Sequence, residues 1–129
     1  MAKSESKHIT SCTIFWENRE DILSVVTKVL QTEIQVRLYH SGNLISGRIW
    51  PMSEQQKQEL YSILYNCIED WDCDDYTVNE SDGNHWKFKI CTQRSCLRTV
   101  CGTIEPPPHG AEIKKILAKI IGEENCYFF

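Results

Sequence analysis

The sequence predicts an α+β fold: one antiparallel sheet of four to six strands with about three helices packed on one face, built from two ββα repeats. Three observations predict it. The pentapeptide G-x-I-x-P occurs twice, as GRIWP at 47–51 and GTIEP at 102–106, each time closing an apolar run and preceding a helical pattern. The stretches before it alternate apolar and polar residues with the period of two that half-buried strands show. The apolar positions of the two helical stretches also correspond: Leu60, Ile63, Leu64, Cys67 and Ile68 stand 53 positions before Ile113, Ile116, Leu117, Ile120 and Ile121. One ββα unit has an apolar face that it cannot bury alone, and two such units cover each other. An alternative order is ferredoxin-like, βαββαβ with a C-terminal βα extension.

The first element is HITSCTIFWE at 8–17, rich in β-branched and aromatic residues, which predicts a strand. Asn18 has the chemistry of a helix N-cap, with Glu20 and Asp21 in the first turn. Ile22, Val25, Val26, Val29 and Leu30 follow at helical spacing and predict an amphipathic helix over 19–31. The two elements make an N-terminal βα unit, 8–31. Valine lowers helix propensity, so packing has to hold this helix.

Repeat one covers 33–70. Ile34, Val36 and Leu38 alternate with Gln35, Arg37 and Tyr39, and Ser41-Gly42 supplies a two-residue turn. Closing the hairpin there pairs His40 with Asn43, Leu38 with Ile45, Val36 with Gly47 and Ile34 with Ile49. That register puts the apolar partners on one face and directs Arg37, Tyr39, Leu44, Arg48 and Trp50 to the other. Pro51 ends the strand. Ser53 and Gln56 form a capping box before a helix at roughly 54–70, with Leu60, Ile63, Leu64, Cys67, Ile68 and Trp71 as its stripe. An acidic connection, 69–84, follows, with a short strand at Tyr76–Val78.

Repeat two covers 85–122. Trp86, Phe88 and Ile90 share one face of a strand, CTQRSC carries the turn, and Val100, Gly102 and Ile104 share one parity of the return strand. Lys87, Lys89, Cys91 and Thr99 then point outward. Gly47 and Gly102 both fall on the inward face in this reading. A prolyl break precedes the last helix, which Gly122 stops. Within the tail, 123–129, three terminal aromatics are expected to dock on the domain.

The chain of 129 residues fits a single domain, 1–129, and its 41% hydrophobic content is enough for a core. No run of 18 apolar residues is present, and the start MAKSESKHIT has no apolar signal region, so a cytoplasmic protein without membrane partners is expected. Seven cysteines, an odd number, read as reduced and mostly buried thiols. The net charge of −4 is unevenly spread. Residues 51–83 hold nine acids and one base, whereas 84–129 hold seven bases and four acids.

The sequence contains none of the local signatures of hydrolases, metalloproteases, nucleotide-binding loops or dinucleotide folds, so a non-enzymatic protein without cofactor is expected. No C-x-x-C occurs, and Cys91-x4-Cys96-x4-Cys101, flanked by His85 and His109, is the nearest approach to a zinc pattern; no metal is expected there. Two surfaces are candidates for binding. One is the acidic segment Glu69, Asp70, Asp72, Asp74 and Asp75, continued by Glu80 and Asp82, which would meet a basic groove. The other is the outward sheet face with Arg37, Tyr39, Arg48, Trp50, Lys87 and Lys89, where cations and rings alternate as phosphates and bases, or a protein hot spot, require.

In size, acidity and lack of catalytic motifs the chain resembles a type: compact α+β bacterial or phage proteins that act by stoichiometric binding, such as toxin-immunity proteins and anti-CRISPR inhibitors. The resemblance implies an anti-defence or immunity-type inhibitor that docks on a protein target, with a nucleic-acid-handling protein as one such target. A nucleic-acid-binding module using the outer sheet face is the alternative. Either is compatible with a monomer or a homodimer.

Overall fold

A computed structural model describes residues 9–18, 20, 22–77, 84–103 and 105–126. Strands β1 (Ile9–Asn18), β2 (Leu23–Val29), β3 (Glu33–His40) and β4 (Asn43–Pro51) lead into helix α1 (Glu54–Asp70). Strands β5 (Asp75–Tyr76), β6 (Asn84–Thr92) and β7 (Cys96–Thr103) follow, then helix α2 (Gly110–Ile121) and a 3-10 turn, Glu123–Asn125. The strands form one sheet in the order β4-β3-β2-β1-β6-β7-β5. β5 runs parallel to β7, and every other pairing is antiparallel. The class is therefore α+β, but the described residues form a seven-stranded mixed sheet and two helices in place of four to six strands and about three helices. The ferredoxin-like order does not occur among the described residues.

The difference begins in the expected helix, 19–31, where Leu23–Val29 form strand β2 instead. Four of the seven residues in LSVVTKV are β-branched, which disfavours a helix and suits a pleated surface. Val25, Thr27 and Val29 are buried on one face and Val26 and Lys28 project to the other. In a strand packed on one side and partly covered on the other, two-faced apolarity imitates the helical spacing. Asn18 does use its capping chemistry, but in a turn: its Oδ1 accepts from the Glu20 backbone N–H at 3.0 Å. The N-terminal unit is thus a β1–β2 hairpin in the middle of the sheet, not a βα unit.

The β3–β4 hairpin turns at Ser41-Gly42, both at positive φ (51° and 82°), as a type I′ turn requires. His40 pairs with Asn43 as expected, but a bulge between Leu38 and Tyr39 changes the rest. Tyr39 faces Leu44, Leu38 faces Ser46, Val36 faces Arg48 and Ile34 faces Trp50. Ile45 is the extra residue, and the one-residue shift inverts the remainder of β4. Gly47 and Ile49 therefore lie on the face of Arg37 and Gln35, with Ile49 63% exposed, while Arg48 and Trp50 lie on the face of Val36 and Ile34.

The core lies between one sheet face and the two helices. Cys12, Ile14, Val25, Val29, Ile34, Val36, Trp86, Phe88, Ile90 and Val100 from the strands are buried with Leu60, Leu64 and Cys67 of α1 and Ile113, Leu117 and Ile121 of α2. Trp86, Phe88 and Trp71 make two edge-to-face contacts, at 5.8 and 5.6 Å. α1 begins at the expected capping box, with Ser53 and Gln56 satisfying each other's backbone N–H. α2 stops at Gly122, at φ 93°. Tyr61 anchors α1 to the sheet by donating to the carbonyls of Thr10 and Leu30, both at 3.0 Å. In element order, strand-strand-helix occurs as β3-β4-α1 and as β6-β7-α2. Among the described residues no helix is long and apolar enough to cross a membrane. The expected contacts of Tyr127, Phe128 and Phe129, the packing of Ile104 and the strand position of Val78 lie outside the described residues.

Candidate functional site

Strand pairing defines the sheet face opposite the helices, because cross-strand partners share a face. Arg37, Val26, Phe15, Lys87 and Cys101 are successive partners and form a row across five strands. A second row, toward the hairpin turns, runs Tyr39, Ser24, Glu17, His85. A third, on the other side, runs Gln35, Lys28, Thr13, Lys89, Thr99. Phe15 is at the centre and 38% exposed. Lys28, Arg37, Lys87 and Lys89 are exposed around it. The Lys87 ammonium stands 5.8 Å from the centroid of the Phe15 ring, within range of a cation–π attraction. Four cations on this face stand against the carboxylates of Glu17, Glu33 and Asp75, the cross-strand partner of Cys101, and Glu33 accepts from Gln35 Nε2 at 2.7 Å.

The face is concave. A hollow of about 480 Å³ is lined by Phe15, Glu17, Ser24, Tyr39, His85, Lys87 and Cys101 among others. A second, of about 250 Å³, is lined by Phe15, Val26, Lys28, Gln35, Arg37 and Tyr39. Phe15, Val26 and Tyr39 belong to both, so the hollows meet at these side chains. His85 Nε2 is shielded from solvent and has no hydrogen-bond partner among the described residues. The larger hollow has a mixed lining, with Phe15 and Val26 beside the polar groups of Glu17, Ser24, Tyr39, His85 and Lys87.

The structure brings Arg37, Tyr39, Lys87 and Lys89 together here, as the sequence suggests. Arg48 and Trp50 are a correction: the Ile45 bulge turns them to the helix-bearing face. There the Arg48 guanidinium sits 4.8 Å from the Trp50 ring centroid, and Trp50 packs on the edge of the core. Phe15, Val26 and Lys28 complete this face, and the helical spacing of 19–31 hides the last two from a reading of the sequence alone. Their signal was the alternation of Ser24, Val26 and Lys28 with Val25, Thr27 and Val29.

The acidic segment lies away from this face except at β5. Asp70 and Glu112 both bind the His109 ring, at 2.6 and 2.9 Å. Hydrogen bonds donated by the ring to these two carboxylates, Asp70 first, raise the His109 pKa above its ordinary value. Asp74 pairs with Arg98 Nε at 2.8 Å, Asp72 accepts from the Tyr76 hydroxyl at 3.2 Å, and Asp75 accepts from the Thr77 N–H at 2.8 Å. Hydrogen bonds from Thr77 hold the Asp75 carboxyl below the usual range. Four of these carboxylates thus fasten the α1–β5 connection, and Glu69 is exposed near the end of α1. Glu80 and Asp82 lie outside the described residues.

All seven cysteines are unpaired thiols, but the expectation that most are buried fails. Cys12 and Cys67 are buried, Cys73 and Cys96 are exposed, and the other three are intermediate. Cys91 and Cys96 face each other across the β6–β7 hairpin with sulfurs 3.1 Å apart. Among the described residues no group of three or more His, Cys, Asp or Glu side chains is placed to hold a metal ion. Compared with known proteins, the chain matches no family model, no curated sequence and no solved structure.

Proposed function

We propose that the protein is a non-enzymatic binding module whose open sheet face holds a single-stranded nucleic acid. The observation that carries this reading is the floor of Phe15 and Tyr39 between two adjoining hollows, with Lys28, Arg37, Lys87 and Lys89 around it. Bases stack on aromatic rings regardless of sequence, and lysine or arginine side chains neutralise the phosphates between them. The overall negative charge does not oppose this use, because its acidic excess lies in 51–83, where the carboxylates with known partners hold the chain's own structure. The test is titration of a fluorescent oligouridylate and an oligothymidylate at low and moderate salt. Binding that weakens linearly in log salt, by about 0.7 in slope for each phosphate neutralised, is the expected result. No binding at low salt overturns the reading.

A second reading, a stoichiometric inhibitor docking on a protein target, is favoured by the same side chains, since Arg and Tyr around a partly exposed Phe also make a protein hot spot. It would use this face and not the acidic segment, whose Asp70, Asp72, Asp74 and Asp75 already have partners. Loss of nucleic-acid binding with retained capture of an acidic protein through Lys87 would favour it.

A further inference from the structure

Cys91 in β6 stands between two cross-strand partners, Ser11 of β1 and Cys96 of β7. In the register of the rest of the β6–β7 hairpin it would oppose Leu97, because Ile90 pairs with Arg98. The shift between Ile90 and Cys91 brings Cys96 opposite it instead. The turn beyond holds that shifted register. There the Thr92 N–H donates to the Ser95 carbonyl at 2.8 Å, and the Thr92 Oγ1 accepts from the N–H groups of Arg94 and Ser95 at 3.3 and 3.2 Å. The sulfurs of Cys91 and Cys96 meet at 3.1 Å, and a disulfide needs them at about 2.0 Å. Side-chain rotation can close that gap, since the Cα atoms of cross-strand partners stand about 4.5–5.5 Å apart, within the span of a disulfide. The other cysteines are placed differently. Cys12 and Cys67 are in the core, Cys101 opposes Lys87 and Asp75, and the thiols of Cys73 and Cys126 donate to the carbonyls of Asp75 and Gly122.

We propose that Cys91 and Cys96 are a dithiol site that closes reversibly to a disulfide by exchange with a low-molecular-weight disulfide. What binds on the open face has no part in it. Cys96 is exposed and Cys91 only partly so, which makes Cys96 the entering thiol. Its thiolate attacks one sulfur of the small disulfide, the S–S bond there breaks, and one small thiolate leaves. The Cys91 thiolate then attacks the Cys96 sulfur, the mixed S–S bond breaks, and the second small thiolate leaves. The two protons given up by the cysteines go to the two departing thiolates. The protein gives up two electrons and the small disulfide gains them. Burial, then the hydrogen bond with Cys96, raises the Cys91 pKa, which makes Cys91 slow toward disulfides in solution. Its attack on Cys96 is fast by comparison, because the target sulfur is already in contact and the step is intramolecular. Excess small thiol runs both steps backwards.

The experiment incubates the full reduced chain with oxidised glutathione at neutral pH. Free thiols are then blocked by alkylation, and the state of each cysteine is read by peptide mapping. The expected result is a Cys91–Cys96 bridge with no glutathione left on either residue, and excess reduced glutathione restores both thiols. Cys91→Ser is expected to trap glutathione on Cys96, because the resolving thiol is gone. Cys96→Ser is expected to leave Cys91 reacting at least about tenfold more slowly than the wild-type bridge forms. A wild type that keeps glutathione on Cys96 overturns the proposal. So does a bridge from either cysteine to a third, or both thiols remaining free. A Cys91→Ser chain without glutathione on Cys96, or a Cys96→Ser chain whose Cys91 reacts as fast as the bridge forms, overturns the assigned order of attack. If a serine variant fails to fold, the wild-type map still decides whether the bridge forms.

Discussion

Gly102 lies directly beneath the Trp86 indole: a Cβ built on it would collide with the ring, whose Cε2 is 2.8 Å from that position. Gly47, its counterpart in the repeated pentapeptide, sits on the opposite face, with the Arg37 Cγ as nearest atom at 3.9 Å. Gly102→Ala is therefore expected to cost about 1–3 kcal/mol through overpacking. Gly47→Ala should stay within about 0.5 kcal/mol of the wild type, as exposed substitutions do. Urea unfolding of the two variants checks both; equal effects would remove the distinction between the two copies.

His109 bridges Asp70 at the end of α1 and Glu112 in the first turn of α2. Two acceptors on its two ring nitrogens favour the imidazolium, in which both nitrogens donate. Because the folded pKa is raised, the stabilisation is complete below the unfolded value of about 6.5 and is lost as pH rises through the folded value. Stability should therefore fall between mildly acidic and mildly alkaline pH. His109→Asn, which tolerates the left-handed φ of 69°, should flatten that dependence. Urea midpoints across pH, with the imidazole titration followed by NMR, test it.

Arg98 of β7 gathers the chain end of α1. Its Nε bonds Asp74, one terminal nitrogen reaches the carbonyls of Trp71 and Ile68 at 2.6 and 3.1 Å, and the other reaches that of Cys73 at 3.0 Å. Arg98→Ala should destabilise by about 2–3 kcal/mol, since these carbonyls lose charged partners in a partly buried site. Arg98→Lys should recover little of it, because an ammonium lacks the planar fork. Thermal unfolding and amide exchange at 71–76 are the measurements.

On the open face, Phe15→Ala should weaken oligonucleotide binding by about 1–3 kcal/mol, the worth of one stacked base. Lys87→Ala and Lys89→Ala should each reduce the salt slope by about 0.7, the share of one phosphate on a single strand. Arg48→Ala should leave both affinity and slope unchanged, because Arg48 lies on the other face. Fluorescence titrations at several salt concentrations separate these outcomes, and an Arg48 effect equal to that of Lys87 would contradict the assigned faces.

The thiols should react in the order of their surroundings. Burial pushes Cys67 up to about 12, and burial followed by the neighbouring Cys96 pushes Cys91 up to about 11. Alkylation of the native protein at neutral pH, read by mass spectrometry, should label Cys73 and Cys96 first and leave Cys12 and Cys67 unmodified until unfolding. Early labelling of Cys67 would mean that α1 detaches readily from the sheet.

Residue chemistry by itself determined α1, α2, the β3–β4 turn and the face of Trp86, Phe88 and Ile90. Each rests on a local device: the Ser53–Gln56 capping box, the Gly122 stop, Ser41-Gly42, and strict alternation. Tertiary structure decided the rest. Val25, Val26 and Val29 satisfy helical and two-faced strand spacing alike, and only a place between β1 and β3 settles them as strand. The pairing of β1 with β6 joins residues more than sixty positions apart, which no local pattern encodes. Arg48 and Trp50 changed face because Ile45 is unpaired opposite Leu38 and Tyr39, and a period of two turns one extra residue into an inversion of every side chain beyond it. The composition of the open face was thus legible in Arg37, Tyr39, Lys87 and Lys89, while its centre, Phe15 with Val26 and Lys28, existed only once the middle strands were in register.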